Sequence, residues 1–260
     1  MINFDLINLN NVTDSFNSFK NGTPFDHCVI DNFFKEDVAS KLADEIPHFD
    51  SDLWHEYNNS LEIKKSCNDW NKFPPSTYMA FSFLNSDFFI NYLKGVTGIN
   101  SLLADSGLNG GGWHIHSNGG KLNPHLDYSL HPKVKFQRKL NIIIYLQKGW
   151  EATWGGHLGL YKNEGGKVKD LKLEIEPKFN RAVVFDTTQD SWHGLSREVV
   201  TPHGVCRKSM AVYYLTPPSK DVDPRGKALF APTEDQVGDD SVVELIKKRG
   251  STQSASDAYK

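Results

Sequence analysis

Three cysteines in 260 residues, Cys28, Cys67 and Cys206, are too few, too far apart and odd in number for a disulfide scaffold. No CxxC pair suggests a zinc ribbon. No stretch approaches the ~20 apolar residues of a membrane span. Met1 to Asn21 is polar, with no apolar run behind a basic start, so a secretory leader is not expected. The expected compartment is therefore a reducing cytoplasm. Asn11-Val-Thr and Asn21-Gly-Thr then read as chance matches to the glycosylation pattern. There is no basic excess either. The formal net charge is −3, which gives no global attraction to nucleic acid or an anionic membrane, and neither is expected as a partner. No repeat of 20–50 residues is visible.

What is present is an ordinary globular composition, 38% hydrophobic and 23% charged, enough for a sizeable core. The first part of the chain is mixed. Pro24 to Ile30 reads as a short extended run, Lys35 to Ile46 as a helix stopped by Pro47, and Asp87 to Val96 as a second helix ended by Gly95 to Gly98. Ser51 to Tyr78, with Pro74-Pro75, reads as loops with at most short elements. From Gly111 the character changes to short β-rich runs: Trp113 to Ser117, Lys139 to Leu146, His157 to Tyr161, Leu171 to Ile175, Arg181 to Asp186 and Lys208 to Leu215. Glycines and prolines separate them, and no helix intervenes. That pattern predicts a mainly β protein with flanking helices, a jelly roll or another antiparallel barrel. We expect one domain over residues 1–232, with helices and loops to about 110 and a β core over about 111–218. A C-terminal helix (Asp240 to Lys248) and a frayed tail would occupy 233–260.

The chemistry concentrates in three places. In His125-Leu126-Asp127, a strand would point residues i and i+2 to one face. An imidazole and a carboxylate there can share a metal ion. His193, 68 residues on, can complete a facial set of two histidines and one carboxylate, the arrangement used by oxygen-activating Fe(II). The H-x-[DE] pattern alone says little, because His48-Phe49-Asp50 also carries it, outside the β-rich region. Arg207 changes the weight. It lies 14 residues after His193 and shares a strand face with Ser209. A guanidinium and a hydroxyl pointing together make a clamp for a carboxylate.

Taken together, "NPHLDYSLHP", "RKLNIIIYL", "WGGHLGLY", "FNRAVVFDTTQDSWHG" and "GVCRKSMAVYYLTPP" make the stretch from about Gly112 to Pro217 resemble the 2-oxoglutarate and Fe(II)-dependent oxygenases, in their prolyl-hydroxylase-like branch. The opening "PFDHCVIDNFFKEDVASKL" is also similar to the N-terminal strand and helix of such proteins. The resemblance implies a double-stranded β-helix, a distorted cupin-like jelly roll. It implies His125, Asp127 and His193 as iron ligands, and Arg207, seconded by Ser209, as partner of the 2-oxoglutarate C5 carboxylate. It further implies Fe(II), with 2-oxoglutarate and O2 as co-substrates and ascorbate as an optional accessory. The expected reaction hydroxylates a substrate and releases succinate and CO2.

Asn141, Ile143 and Tyr145 share one face of the Lys139 to Leu146 run, and the resemblance implies Asn141 and Tyr145 as candidate 2-oxoglutarate contacts, since such proteins often place a polar or tyrosyl side chain on this strand. The alternation does not say which face looks inward. His114 and His116 form an H-x-H pair, read as pocket lining rather than a second metal site. Trp192 reads as packing. The aromatic segment from Phe49 to Tyr78 could be a lid or could simply pack. Two other classes compete: a metal-binding jelly-roll sensor without turnover, which would be expected to lack one of these residues, and a zinc hydrolase, for which the chain offers no H-E-x-x-H helix. The substrate, whether peptidyl proline, a free amino acid or another small molecule, is not legible, nor is the oligomeric state.

Overall fold

The computed structural model describes residues 6–251. Five helices run Leu9–Phe16 (α1), Glu36–Glu45 (α2), Pro75–Leu84 (α3), Asp87–Thr97 (α4) and Asp240–Ser251 (α5). The early strands are His27–Ile30 (β1), His55–Asn58 (β2), Glu62–Cys67 (β3), Leu103–Ala104 (β4), Gly112–His116 (β5), Lys121–Leu122 (β6) and His125–Leu126 (β7). The later ones are Gln137–Tyr145 (β8), Leu158–Glu164 (β9), Lys167–Ile175 (β10), Ala182–Asp186 (β11), His193–Leu195 (β12), Arg207–Thr216 (β13) and Leu229–Phe230 (β14).

They form two antiparallel sheets. The major sheet runs β1-β11-β8-β13-β5-β3-β2, with β4 beside β13 and β6 beside β3; the minor runs β10-β9-β12-β7-β14. This is the jelly roll that the spacing of short strands predicts. Period-two alternation sorts the residues of β8 between its faces. Leu140, Ile142 and Ile144 are fully buried on the outer face, in one core with Phe81, Phe83, Leu84, Phe89 and Leu93 from α3 and α4. Each such side chain contributes about 1.5–3 kcal/mol of hydrophobic stabilisation. Asn141 and Ile143 turn inward, towards the space between the sheets. Tyr145, also inward, packs with Leu158, Leu160, Val183 and Phe185.

Three parts of the first third differ from the sequence reading. Residues 51–78 are not loops: they hold the β2–β3 hairpin, which extends the major sheet through β5, and the start of α3. Pro75 sits at the first turn of α3, where its missing N–H costs nothing, so the Pro74-Pro75 pair starts a helix instead of breaking one. Helix α1 was not expected. The expected helix from Asp87 is present, its Ser86 hydroxyl capping the N-terminus and Gly98, at φ +73°, closing the C-terminus. The predicted frayed tail lies largely outside the described residues. Among the described residues no helix is long and apolar enough to cross a membrane.

Candidate metal and oxo-acid site

β7 is only two residues long, so Asp127 lies just beyond its end and not on it. The convergence survives because β7 is pinned on both sides. His125 stands directly across from His193 of β12, and from Phe230 of β14. Arg225 then fixes the chain that follows, its Nη1 donating to the carbonyls of Asp127 at 2.7 Å and Lys227 at 2.9 Å. One ligand-capable atom from each of His125, Asp127 and His193 lies within 4.8 Å of the others. His125 Nε2 is 3.9 Å from Asp127 Oδ1, and His193 Nε2 is 3.7 Å from Asp127 Oδ2.

The donor set fits a divalent metal. Nδ1 of His125 bonds the Asn123 carbonyl at 3.0 Å, and Nδ1 of His193 bonds the Ser191 carbonyl at 2.8 Å. Each carbonyl fixes the proton on Nδ1 and leaves the lone pair on Nε2, facing the shared centre. Asp127 Oδ2 is buried with no hydrogen-bond partner. Burial pushes the His125 pKa down to about 3, so the ring is neutral and can ligate. Burial alone would raise the Asp127 pKa, but Arg138 and the two imidazoles outweigh it and hold the carboxylate ionised.

Arg138 was missed by sequence reasoning. Counting by twos from Leu140 puts it on the outer face, with the core. The register shows why it is not there: Tyr214 pairs with Leu140, but Leu215 pairs with Arg138, so Lys139 is an extra residue. That bulge turns Arg138 inward. Its guanidinium is sandwiched between the rings of Tyr128 and Tyr213, at 3.3 and 3.4 Å, with Nη1 3.2 Å from Asp127 Oδ1. The Tyr213 hydroxyl donates to the same oxygen at 3.3 Å. Only a bulge signal could have revealed it, and none is visible in the run Gln137-Arg138-Lys139.

Arg207 is 4% exposed at the start of β13. Its Nε donates to the Gly156 carbonyl at 2.8 Å, and it stands over the Tyr145 ring, 4.8 Å from the centroid. No carboxylate among the described residues pairs with it. A buried, uncompensated guanidinium is costly, and an anionic ligand removes that cost. Gly156, at φ +64°, has to be glycine: a Cβ would come within 3.0 Å of Arg207 Cδ. Ser209 lies opposite Tyr145 on one side and His114 on the other. The Tyr145 hydroxyl is buried beside Arg207, and Asn141 Oδ1 is buried without a partner.

Triad, Arg138, Arg207, Ser209 and Asn141 line one cavity of about 500 Å3, together with His114 and His116. A depression of similar size around Ile7 to Asn11 is open surface with no comparable set of ligand atoms. The decoy pair His48 and Asp50 is exposed after α2 and joins no cluster. Trp192 is buried against Leu126 and Ala231, with its Nε1 bonded to Asn163, which is packing. The aromatic segment divides: Trp54 and Phe73 pack on Trp113, Trp70 and Tyr78 pack on each other, and only His55 and Tyr57 reach the cavity.

Two antiparallel sheets thus enclose a His-Asp-His cluster in the same cavity as a buried arginine with no carboxylate partner among the described residues, an arrangement suited to a metal ion and an oxo-acid. Residues 111–215 match the family model of the 2OG-Fe(II) oxygenase superfamily. Among curated proteins the chain is similar to the mouse prolyl 3-hydroxylase OGFOD1, 27% identical over 188 residues. The match covers 66% of this chain and 30% of that protein. Among solved structures the fold is similar to a Trichoplax adhaerens prolyl hydroxylase in complex with a hypoxia inducible factor peptide, with a TM-score of 0.52 and 17% identity over 80% of this chain and 88% of that one. It is also similar to a Pseudomonas putida prolyl-4-hydroxylase, with a TM-score of 0.50 and 15% identity over 80% and 99% of the two chains.

Proposed function

We propose that this protein is an Fe(II) and 2-oxoglutarate-dependent dioxygenase that hydroxylates a peptidyl prolyl residue or a small molecule. The observation that carries the reading is the joint one: a metal-competent triad and a buried arginine with no protein carboxylate, facing the same cavity. In this reading His125 Nε2, Asp127 and His193 Nε2 hold the iron. Bound iron supplies O2 activation, coupled to conversion of 2-oxoglutarate to succinate and CO2 and to oxidation of a substrate C–H bond. The chain's own contributions are positional. Arg207 and Ser209 take the distal carboxylate of 2-oxoglutarate and so aim its oxo-acid end at the triad. Asn141 lines the same cavity, and Tyr145 packs against Arg207. Arg138 and Tyr213 occupy Asp127 Oδ1, which leaves Oδ2 for the metal. The walls between the sheets keep bulk water from the oxidising centre. We take residues 1–232 as one oxygenase domain, with 233–260 appended to it.

The mouse relative's name makes peptidyl proline the first substrate to try, although this chain spans under a third of that protein's length. The test is a panel of proline-containing peptides, free amino acids and other metabolites given to the Fe(II)-loaded protein with 2-oxoglutarate in air. Product mass spectrometry should show one substrate gaining a single oxygen. A metal-bound protein that oxidises nothing on a broad panel and forms no succinate would favour a binding role.

A further inference from the structure

Three strands of the major sheet set Arg207, His116 and Lys64 in one row on its interior face. Arg207 stands opposite His116 across the β13–β5 pair. The register Lys65 to Ile115 and Ser66 to His114 brings Lys64 to the other flank of His116. Neighbouring strands are about 4.8 Å apart, so the two side chains start one strand spacing apart on the same face, and both line the cavity.

His116 is 2% exposed, lines the cavity, and has no hydrogen-bond partner on either ring nitrogen. Buried polar atoms left in this way are costly, and in folded proteins nearly all are satisfied by protein, water or ligand. Burial, and after it Arg207 and Lys64, push the His116 pKa well below its usual value, so the ring is neutral. A neutral ring offers one N–H donor and one lone pair, and no backbone carbonyl fixes which nitrogen carries the proton. The groups that flank it are themselves donors, Lys64 held by Glu62 at 3.0 Å. Arg207 donates through Nε to the Gly156 carbonyl and lies against Tyr145. His116 and Arg207 therefore bring donors to the same cavity, and the His116 ring has no protein acceptor of its own.

We propose that His116 donates a hydrogen bond to the distal carboxylate of the 2-oxo acid, beside Arg207, and thereby selects a dicarboxylic over a monocarboxylic co-substrate. The inference rests on the reading that Arg207 receives that carboxylate. His116 touches no reacting atom in this account; it positions the co-substrate.

The test compares binding of 2-oxoglutarate with binding of 2-oxopentanoate, which has the same chain length and lacks the distal carboxylate. Affinities are measured by calorimetry on Zn(II)-loaded protein, where no turnover intervenes. His116→Leu should weaken 2-oxoglutarate about ten- to a hundredfold, the worth of a hydrogen bond to a charged group, and leave 2-oxopentanoate within about twofold. His116→Gln, which restores a donor, should recover part of the loss. Equal weakening of both acids, or no weakening, would overturn the proposal and leave His116 a buried residue satisfied by water. Should the leucine variant not fold, histidine ring 15N signals of the wild-type protein decide. The His116 signals should move with 2-oxoglutarate and not with 2-oxopentanoate, and equal or absent shifts overturn it. Arg207→Ala is run alongside. Unchanged 2-oxoglutarate affinity in that variant would sink the underlying reading, whereas loss there with none in His116→Leu sinks the His116 role alone.

Discussion

At Asp127 the two carboxylate oxygens have separate surroundings: Arg138 and the Tyr213 hydroxyl on Oδ1, and no hydrogen-bond partner on Oδ2. Removing Arg138 leaves burial as the main influence on that carboxyl, and burial raises its pKa. Protons then compete with metal at higher pH. We predict that Arg138→Met shifts the acid limb of Co(II) binding, followed by visible absorption, to higher pH than in the parent; an unshifted limb would show that Arg138 does not tune the ligand. His125→Ala, Asp127→Ala and His193→Ala should each abolish stoichiometric metal binding with the far-UV spectrum intact. His48→Ala and Asp50→Ala, exposed and remote, should bind metal normally. At the other end of the cavity, Arg207→Ala should weaken 2-oxoglutarate by about 2–5 kcal/mol with metal affinity unchanged. Arg207→Lys should recover only part, since an ammonium cannot form the guanidinium fork.

At the scale of elements, what could be read in advance follows how strongly each segment repeats a period. The runs that became β8, β11 and β13 alternate or are continuously apolar, so Arg207 could be placed on a strand, whereas His125 and His193 sit on β7 and β12, two and three residues long, and were found by motif and spacing. β2 and β3 could not be read because they are polar: His55-Glu56-Tyr57-Asn58 and Glu62-Ile63-Lys64-Lys65 show no apolar alternation. Helix α3 was hidden differently. Its buried Thr77, Ala80, Phe81 and Leu84 do share one face, but the exposed Tyr78 and Met79 are apolar too, so no polar face sets the stripe off. Arg138 was lost to a bulge, which breaks the count of two on which its face assignment depends. The C-terminal helix was expected, but not its role. Arg249 of α5 reaches back to Glu62 of β3, a pair that is almost fully buried and close, and stacks on Phe230, which in turn stacks on His125. Removing one partner of a buried pair leaves an uncompensated charge, at a cost of about 3–5 kcal/mol. Glu62→Ala should therefore lower the denaturation midpoint in urea by an amount equivalent to that loss, whereas the exposed Glu164→Ala should not. Equal midpoints would mean that the helix end is not held by this pair.

For the molecule as a whole, the buried imidazoles link stability to pH. Burial pushes His114 and His125 down to about 3, and His116 well below its usual value. In the unfolded chain each protonates near 6.5. Below that pH the unfolded state binds more protons than the folded state, so the stability of the metal-free protein falls as pH drops from about 6.5 towards 3. Each histidine contributes up to about 1.4 kcal/mol per pH unit. Asp105 and Asp186, both raised by burial, work in the opposite sense. Thermal unfolding in a chelator should show a Tm that falls steadily from pH 6.5 to pH 4.5, and a flat Tm would mean that these rings titrate freely in the folded state. The account's central claim is that the triad and Arg207 act as one oxo-acid-dependent centre. Succinate formation tests it most directly, measured by mass spectrometry on metal-reconstituted protein supplied with 2-oxoglutarate. The predicted result is succinate that requires both Fe(II) and O2, appears slowly even without added substrate, and disappears in Asp127→Ala. Succinate no higher than in Asp127→Ala, from protein shown to hold iron and offered the full substrate panel, would contradict it.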